Sequence, residues 1–390
     1  MIKSIFIRFF SLVLLTLVII VFIELSFRFL FGLPKTLKIN DNVITDPVLN
    51  HKWKPNSVVV ETGRSIPYTL YINSQSWVGR RDVSIKKPDN TLRIFYVGDS
   101  NTTGPVKEDK KMTTLVEKEL NKKLKNGKHI EVINTGTTSW SPSLYYLEIK
   151  NHILKFSPDI VVINVDMTDV RDDFVYRKLS TFDKEKLPIA VKPSDTKSKE
   201  LYRLAPQGMI KVSPLQNELT KVREFLRKNS AFYFHFENYV LSSKQKIKQK
   251  VKPQPNVIVN EEQQDANWVS HSWTKDTQHN VDYSMFILGH TIAFLKERNI
   301  NVVVTGVPLY PQYSGEWSAR PHTIIKQTAQ KYGALYLDSY ELIKKPVQKA
   351  DRAKYYWEED PTHFNEEGNR LWADAQVSFL LKHKSILFDQ

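Results

Sequence analysis

From Leu92 to Val165 the chain alternates short, nearly continuous apolar runs with stretches of helical period, a pattern that few architectures accept. Arg93 to Val97, Ile130 to Ile133 and Ile160 to Val165 are too short for helices and rich in β-formers, so they read as buried strands. Between them, Lys110 to Leu124 repeats Met112, Leu115, Val116, Leu120 and Leu124 at helical spacing, and Leu144 to Phe156 is helical again through Leu144, Leu147, Ile149 and Ile153. The pattern resumes at Tyr283. Met285, Ile287, Leu288, Ile292 and Leu295 predict a helix through Glu297, followed by a strand over Asn301 to Val307. Thr323 to Tyr332 predicts a helix and Ala334 to Leu337 a short fifth strand. Asn365 is a good N-cap for a final helix carrying Leu371, Trp372, Ala375, Phe379 and Leu380. Such alternation predicts an α/β domain with a parallel sheet covered on both faces, a three-layer α/β/α arrangement.

The domain so predicted covers 91–390, with an irregular insertion at about 172–282. Within the insertion Lys244 to Lys252 is rich in lysine and glutamine and runs into Pro253 and Pro255. It reads as a solvated helix end and linker, or as a basic contact to an anionic polymer. Residues 34–90 form a proline-punctuated juxtamembrane lead-in, expected to pack on the main domain, in which Val58 to Val60 and Thr69 to Ile72 read as β. Before it, Phe9 to Ile23 is uncharged and apolar except for Ser11 and Thr16. With its flanks, residues 5–31 are long enough to span a bilayer. A cleaved signal peptide and a buried core helix are the competing readings. No small-x-small cleavage site follows the run, which favours an anchor. Lys3 and Arg8 before the span favour an inside N-terminus, with the bulk of the chain on the extracytoplasmic side.

The chain has no cysteine, which excludes disulfides and thiolate metal sites. His271, His279 and His290 are scattered without paired ligand spacing, and no GxxxxGK[ST] is present, so no metal or cofactor is expected. A net charge of +14 favours anionic neighbours. The basic run lacks interleaved aromatics, which argues against nucleic acid.

Two constellations carry chemistry. Gly98-Asp99-Ser100-Asn101-Thr102-Thr103-Gly104 lies between a buried strand and a helix, at the sheet edge where clefts form. Its glycines permit a tight turn, and the Ser100 amide is placed to stabilise an oxyanion. An ordinary strand-to-helix turn uses the same residue types. Asp360-Pro361-Thr362-His363-Phe364-Asn365 puts an Asp three residues before a His on a loop entering a helix, a spacing that can fix one imidazole tautomer. An Asp capping a turn beside a surface His is the plainer reading.

These two blocks resemble the opening GDSxTxG block and the closing DxxH block of the SGNH/GDSL hydrolase family. The resemblance implies a flavodoxin-like domain, Ser100 as nucleophile, and Asp360 and His363 as its partners. Asn134-Thr135-Gly136 is similar to the family's second block, whose glycine amide is an oxyanion donor. The third block departs from the pattern: if Asp169 matches the family's Asp, Thr168 stands where an Asn is expected. A threonine hydroxyl donates one hydrogen bond but reaches less far than an amide. Asp166 and Asp169 read as loop-orienting residues. Pro47, Trp53-Lys54-Pro55-Asn56, Ile72-Asn73-Ser74 and Gly79-Arg80 resemble the lead-in of membrane-anchored bacterial members. The resemblance implies a serine esterase or O-acyltransferase acting on acyl, often acetyl, esters of an envelope glycan. A lipid esterase and a catalytically weak glycan-binding scaffold are the rivals. Trp268, Trp273, Tyr310, Tyr313 and Trp317 read first as core or rim packing, and second as platforms for sugar rings.

Overall fold

The computed structural model describes residues 2–31, 42–61, 68–124, 127–193, 202–205, 208–211, 222, 226, 230–233, 236, 267–358 and 360–388. The chain divides into two compact units, Met1–Thr36 with Thr196–Ile258, and Leu37–Asp195 with Val259–Gln390. The first contains α1 (Ile2–Phe31) and an antiparallel hairpin, Tyr202–Ala205 with Gly208–Lys211. Within α1, Phe6–Leu30 is a 25-residue stretch long and apolar enough to cross a membrane. Thr16 Oγ1 and Ser26 Oγ donate to the carbonyls of Leu12 and Phe22, so its hydroxyls are satisfied inside the helix.

The second unit is built on β1 (Thr91–Gly98), α2 (Ser100–Thr103), α3 (Met112–Lys123), β2 (His129–Asn134), α4 (Pro142–Asn151), β3 (Ile160–Val165), α5 (Asp169–Leu179), α6 (Lys275–Lys296), β4 (Asn301–Gly306), α7 (Arg320–Lys331), β5 (Leu335–Leu337), α8 (Ser339–Lys349) and α9 (Glu366–Lys382). The five strands pair in parallel in the order β5-β4-β3-β1-β2. That is the flavodoxin-like 2-1-3-4-5 arrangement, and its order reverses beside β1. Every residue of β1 and β3 is buried, as the continuous apolar runs require. Helices α3, α8 and α9 pack together as one layer; α4, α5, α6 and α7 pack together as the other.

The five predicted strands are present with small shifts of their ends. Helix α6 starts at Lys275, earlier than Tyr283, because a Thr274–Thr277 capping box opens a polar first turn that apolar spacing does not mark. The described residues 172–193 and 267–282, read from sequence as insertion within the domain, lie in the same unit as the sheet. They include most of α5 and a hairpin of Ser180–Phe182 with Pro188–Val191. The run Lys244 to Lys252 lies outside the described residues. In the lead-in, Val43–Asp46 pairs with Asn50–Trp53 and Ser57–Glu61 with Tyr68–Ile72. Trp53, Val59, Tyr68, Leu70, Ile72 and Val78 form a small core of their own.

One charge lies deep in the sheet. Arg93 on β1 is 0% exposed and faces Glu131, its register partner on β2. Its Nε donates to Glu131 at 2.6 Å, and its Nη atoms to the Phe156 carbonyl at 2.7 Å and Ser84 Oγ at 3.1 Å. A buried pair is fragile to the loss of one member. Arg93→Met should cost about 3–5 kcal/mol by leaving Glu131 with only the half-exposed Arg81, 3.7 Å away. Adding Glu131→Gln should recover part of that loss. Thermal unfolding of the single and double variants checks this; a double variant less stable than the single one would contradict it.

Candidate active site

Ser100 opens α2 directly beyond the carboxyl end of β1, where the strand order reverses. The local sequence makes that turn. Asp99 caps α2 by accepting from the Asn101 N–H at 2.8 Å. Gly98 is required because a Cβ there would overlap the Thr102 side chain. Gly104, at φ +71°, turns the chain away and donates to the Ser100 carbonyl at 3.2 Å. Lys111 secures the exit: its buried ammonium donates to the carbonyls of Thr103 at 3.1 Å, Gly104, and Val106 at 3.3 Å. Burial draws its pKa down to about 8.

The second loop brings His363 against the serine. Asp360 Oδ1 accepts from Thr362 N–H at 3.1 Å and Thr362 Oγ1 at 2.6 Å, forming a closed turn. Asp360 Oδ2 lies 2.7 Å from His363 Nδ1, and His363 Nε2 lies 2.8 Å from Ser100 Oγ. This network assigns the ring proton to Nδ1 and leaves the Nε2 lone pair facing the serine hydroxyl. The side chains of His363 and Asp360 are 19% and 26% exposed, so the array is open to solvent at one edge. Asn365 then caps α9, its side chain accepting from Gly368 N–H at 3.0 Å. Asn101 joins the loops: its Nδ2 donates to Asp166 Oδ2 at 2.9 Å and to the Thr362 carbonyl at 3.1 Å.

The three expected oxyanion donors differ in state. The Ser100 amide has no acceptor among the described residues. The Gly136 amide donates to Asn134 Oδ1 at 2.9 Å, and Asn134 is itself fixed by donating to the Thr102 carbonyl at 2.7 Å. A Cβ at Gly136 would overlap the backbone of Thr102 and Thr103, so the glycine lets this loop lie against α2. The Thr168 amide and hydroxyl both donate to Asp166 Oδ1 at 3.0 Å. Asp166 and Asp169 therefore order the loop after β3: Asp169 Oδ2 accepts from Asp166 N–H at 3.0 Å, and Asp169 Oδ1 from Tyr145 Oη at 3.1 Å.

Beneath the serine lies a buried acidic cluster in which Asp166 and Asp169, read from sequence as loop-orienting residues, join Asp99, Asp172 and Asp173. Burial and the neighbouring Asp166 carboxylate push Asp99 well above the usual carboxylate range. The same causes raise Asp169. Burial raises Asp173, which accepts from Ser141 Oγ at 2.6 Å, and lifts Asp172 to about 7. Asp99 Oδ2 also lies 3.1 Å from Ser100 Oγ, a second partner for the serine hydroxyl. The lead-in reaches the site as well: Trp53 Nε1 donates to the Gly136 carbonyl at 3.0 Å, and His51 Nε2 lies 2.8 Å from the Thr138 carbonyl.

The aromatics serve packing. Trp268 is buried and donates to the Met167 carbonyl at 2.7 Å, and Tyr313 stacks on Tyr340 at 4.7 Å. Trp273 donates to the Trp268 carbonyl at 3.0 Å and carries the Arg320 guanidinium over its ring. Tyr310 packs edge-on against Tyr356, and Trp317 packs on the core. Of the histidines, His279 bonds Arg177, His271 bonds the Gly315 carbonyl and His290 packs on Phe286.

No family model and no curated protein matches this chain. Among solved structures it is similar to an acetylxylan esterase from Geobacillus stearothermophilus, at 12% identity and a TM-score of 0.41, over 75% of this chain and 93% of that one. A two-domain esterase active on acetylated mannans matches at 12% identity and 0.41, over 76% of this chain and 50% of the other. An alpha/beta hydrolase enzyme from the metagenome of Lake Arreo, Spain, matches at 12% and 0.38, over 74% and 94%. The fold assignment rests on the strand order of the sheet itself.

The acidic cluster has a consequence for stability. An unfolded Asp titrates near about 3.9, and folded Asp172 near about 7. The folded state therefore holds the proton more tightly. Its contribution is fully present below about pH 4 and is lost as pH rises through 7. Asp172→Asn should thus raise the melting temperature at pH 8 and change it much less at pH 5. Melting curves at both pH values check this; a variant less stable than wild type at pH 8 would contradict it.

Proposed function

We propose that this chain is a serine-dependent ester hydrolase or O-acyltransferase, held in a membrane by α1 with its sheet-bearing unit on the extracytoplasmic side. The observation that carries the reading is the continuous chain from Asp360 Oδ2 through His363 to Ser100 Oγ, at 2.7 and 2.8 Å. His363 Nε2 takes the Ser100 proton as Oγ attacks the ester carbonyl carbon, and Asp360 holds the imidazolium that forms. The Ser100 amide stabilises the oxyanion. The tetrahedral intermediate collapses, His363 protonates the departing alkoxide, and the acyl group stays on Ser100. Water or a sugar hydroxyl, deprotonated by His363, then releases the acyl group and restores the serine. Gly136 and Thr168 join the oxyanion hole only if substrate draws the Gly136 amide from Asn134 and the Thr168 hydroxyl from Asp166.

The substrate class, acyl and chiefly acetyl esters of an envelope glycan, is supported by the resemblance of the two end blocks and by the net charge of +14, which suits an anionic polymer. The second reading, a catalytically weak glycan-binding scaffold on the same fold, is favoured by one observation. Two of the three expected donors are spent on Asn134 and Asp166.

Turnover of p-nitrophenyl acetate by the full chain and its variants decides between these readings. Ser100→Ala should abolish turnover while leaving the melting temperature unchanged. Thr168→Val should lower kcat less than about tenfold, whereas loss of a working oxyanion donor costs about 10²–10³. Turnover that survives Ser100→Ala would sink the serine mechanism. A folded wild type with no turnover would favour the scaffold.

A further inference from the structure

The first unit places a carboxyl side chain and an aromatic cluster beside the far end of α1. Glu24 accepts from Arg28 Nε at 2.7 Å, from Ser230 Oγ at 2.7 Å and from the backbone N–H groups of Ala231 at 2.9 Å and Phe232 at 3.2 Å. Phe27 meets the Phe232 ring edge-on at 5.3 Å, and Phe232 stacks on Phe236 at 5.8 Å. Val222, Leu226, Ala231 to Tyr233 and Phe236 are helical, and Ser230 N–H donates to the Leu226 carbonyl at 2.8 Å. Among the described residues here Ala231 is buried, whereas Val222 is 56% exposed, Phe236 53%, Phe232 38% and Leu226 37%. Four exposed large apolar side chains are costly in water.

We infer that Phe232 and Phe236, with Val222 and Leu226, make a second membrane contact, seated at the boundary between headgroups and acyl chains of an anionic bilayer. The inference rests on α1 spanning that bilayer. Depth supports it. At 1.5 Å per residue, Glu24 and Phe27 lie about 9 and about 4.5 Å inside the Leu30 end of the span, the level at which interfacial helices sit. Satisfaction supports it too: a carboxylate within a span requires partners, and Ser230, Ala231 and Phe232 supply three of the four donors. In sequence the element is followed by Lys244, Lys246, Lys248, Lys250 and Lys252 with no acidic residue among them, which matches anionic headgroups. A bilayer is thus the occupant that suits both the apolar face and the charge that follows it.

The absence of cysteine makes the test direct, since single cysteines carry an environment-sensitive fluorophore at chosen positions. Phe236→Cys reports on this element, Leu15→Cys on the middle of α1, and Leu342→Cys, 53% exposed on α8, on water. Each labelled full chain is reconstituted into phosphatidylglycerol–phosphatidylcholine vesicles carrying nitroxide-labelled acyl chains. The expected result is quenching at both 15 and 236, strongest at 236 for nitroxides near the headgroup, and none at 342. Quenching at 15 but not at 236 would overturn the inference and leave the anchor standing. Quenching at neither would remove the anchor and the inference with it. Position 236 shielded from aqueous quenchers yet unquenched by lipid would put protein there instead, and would also overturn it.

Discussion

The Asn101 side-chain amide donates to Asp166 Oδ2 at 2.9 Å and to the Thr362 carbonyl at 3.1 Å, so the Ser100 loop, the loop after β3 and the His363 loop share one buried anchor. Ser100 and His363 belong to opposite ends of the sheet-bearing unit, and their 2.8 Å contact needs those loops in register. Asn101 is adjacent to the serine and Thr362 to the histidine, which transmits the constraint over a single residue on each side. The strand order supplies the place. Because β1 lies between β2 and β3, the loops after β1 and β3 open a crevice at their carboxyl ends, and the helix cap at Asn365 returns the histidine to it.

The surroundings of the serine are electrostatically expensive. Asp99, Asp166, Asp169, Asp172 and Asp173 are all buried within the same region. Hydrogen bonds from Asn101, Ser141, Ser143, Tyr145 and Thr168 offset part of that cost, and raised pKa values offset more by favouring protonation. Lys111, whose acidic neighbour is Glu108, spends its charge on three backbone carbonyls at the exit of the serine turn. Stability is thereby exchanged for a rigid turn, a pattern common where a site must be held in advance of its substrate.

Much of this was legible in the sequence where physics is local. Ile160 to Val165 declares itself a central strand by continuous branched apolar residues, and Asn365 declares the start of α9 by its capping geometry. Ser100, Asp360 and His363 stood out through the resemblance of their two blocks to GDSxTxG and DxxH; the turn and the Asp-to-His spacing alone left plainer readings open. Other features depend on partners remote in sequence. Helix α8 was missed because Pro346 lies inside it. Arg93 reads as the edge of an apolar run until Glu131 is seen across the ladder. The direction of the Gly136 amide depends on where the Asn134 side chain turns, which no spacing encodes. The lead-in was expected to pack on the main domain, but no spacing in residues 43–53 marks Trp53 and His51 as the residues that meet the loop carrying Gly136 and Thr138.

The central claim is that His363 activates Ser100 as a nucleophile. Intact-protein mass measurement after exposure to a fluorophosphonate tests it most directly, because the reagent forms a covalent bond only with an activated serine. The account predicts one adduct per chain, mapped to Ser100, formed far more slowly in His363→Ala. A folded wild-type chain that takes up no adduct, or takes it up as fast without His363, would contradict it.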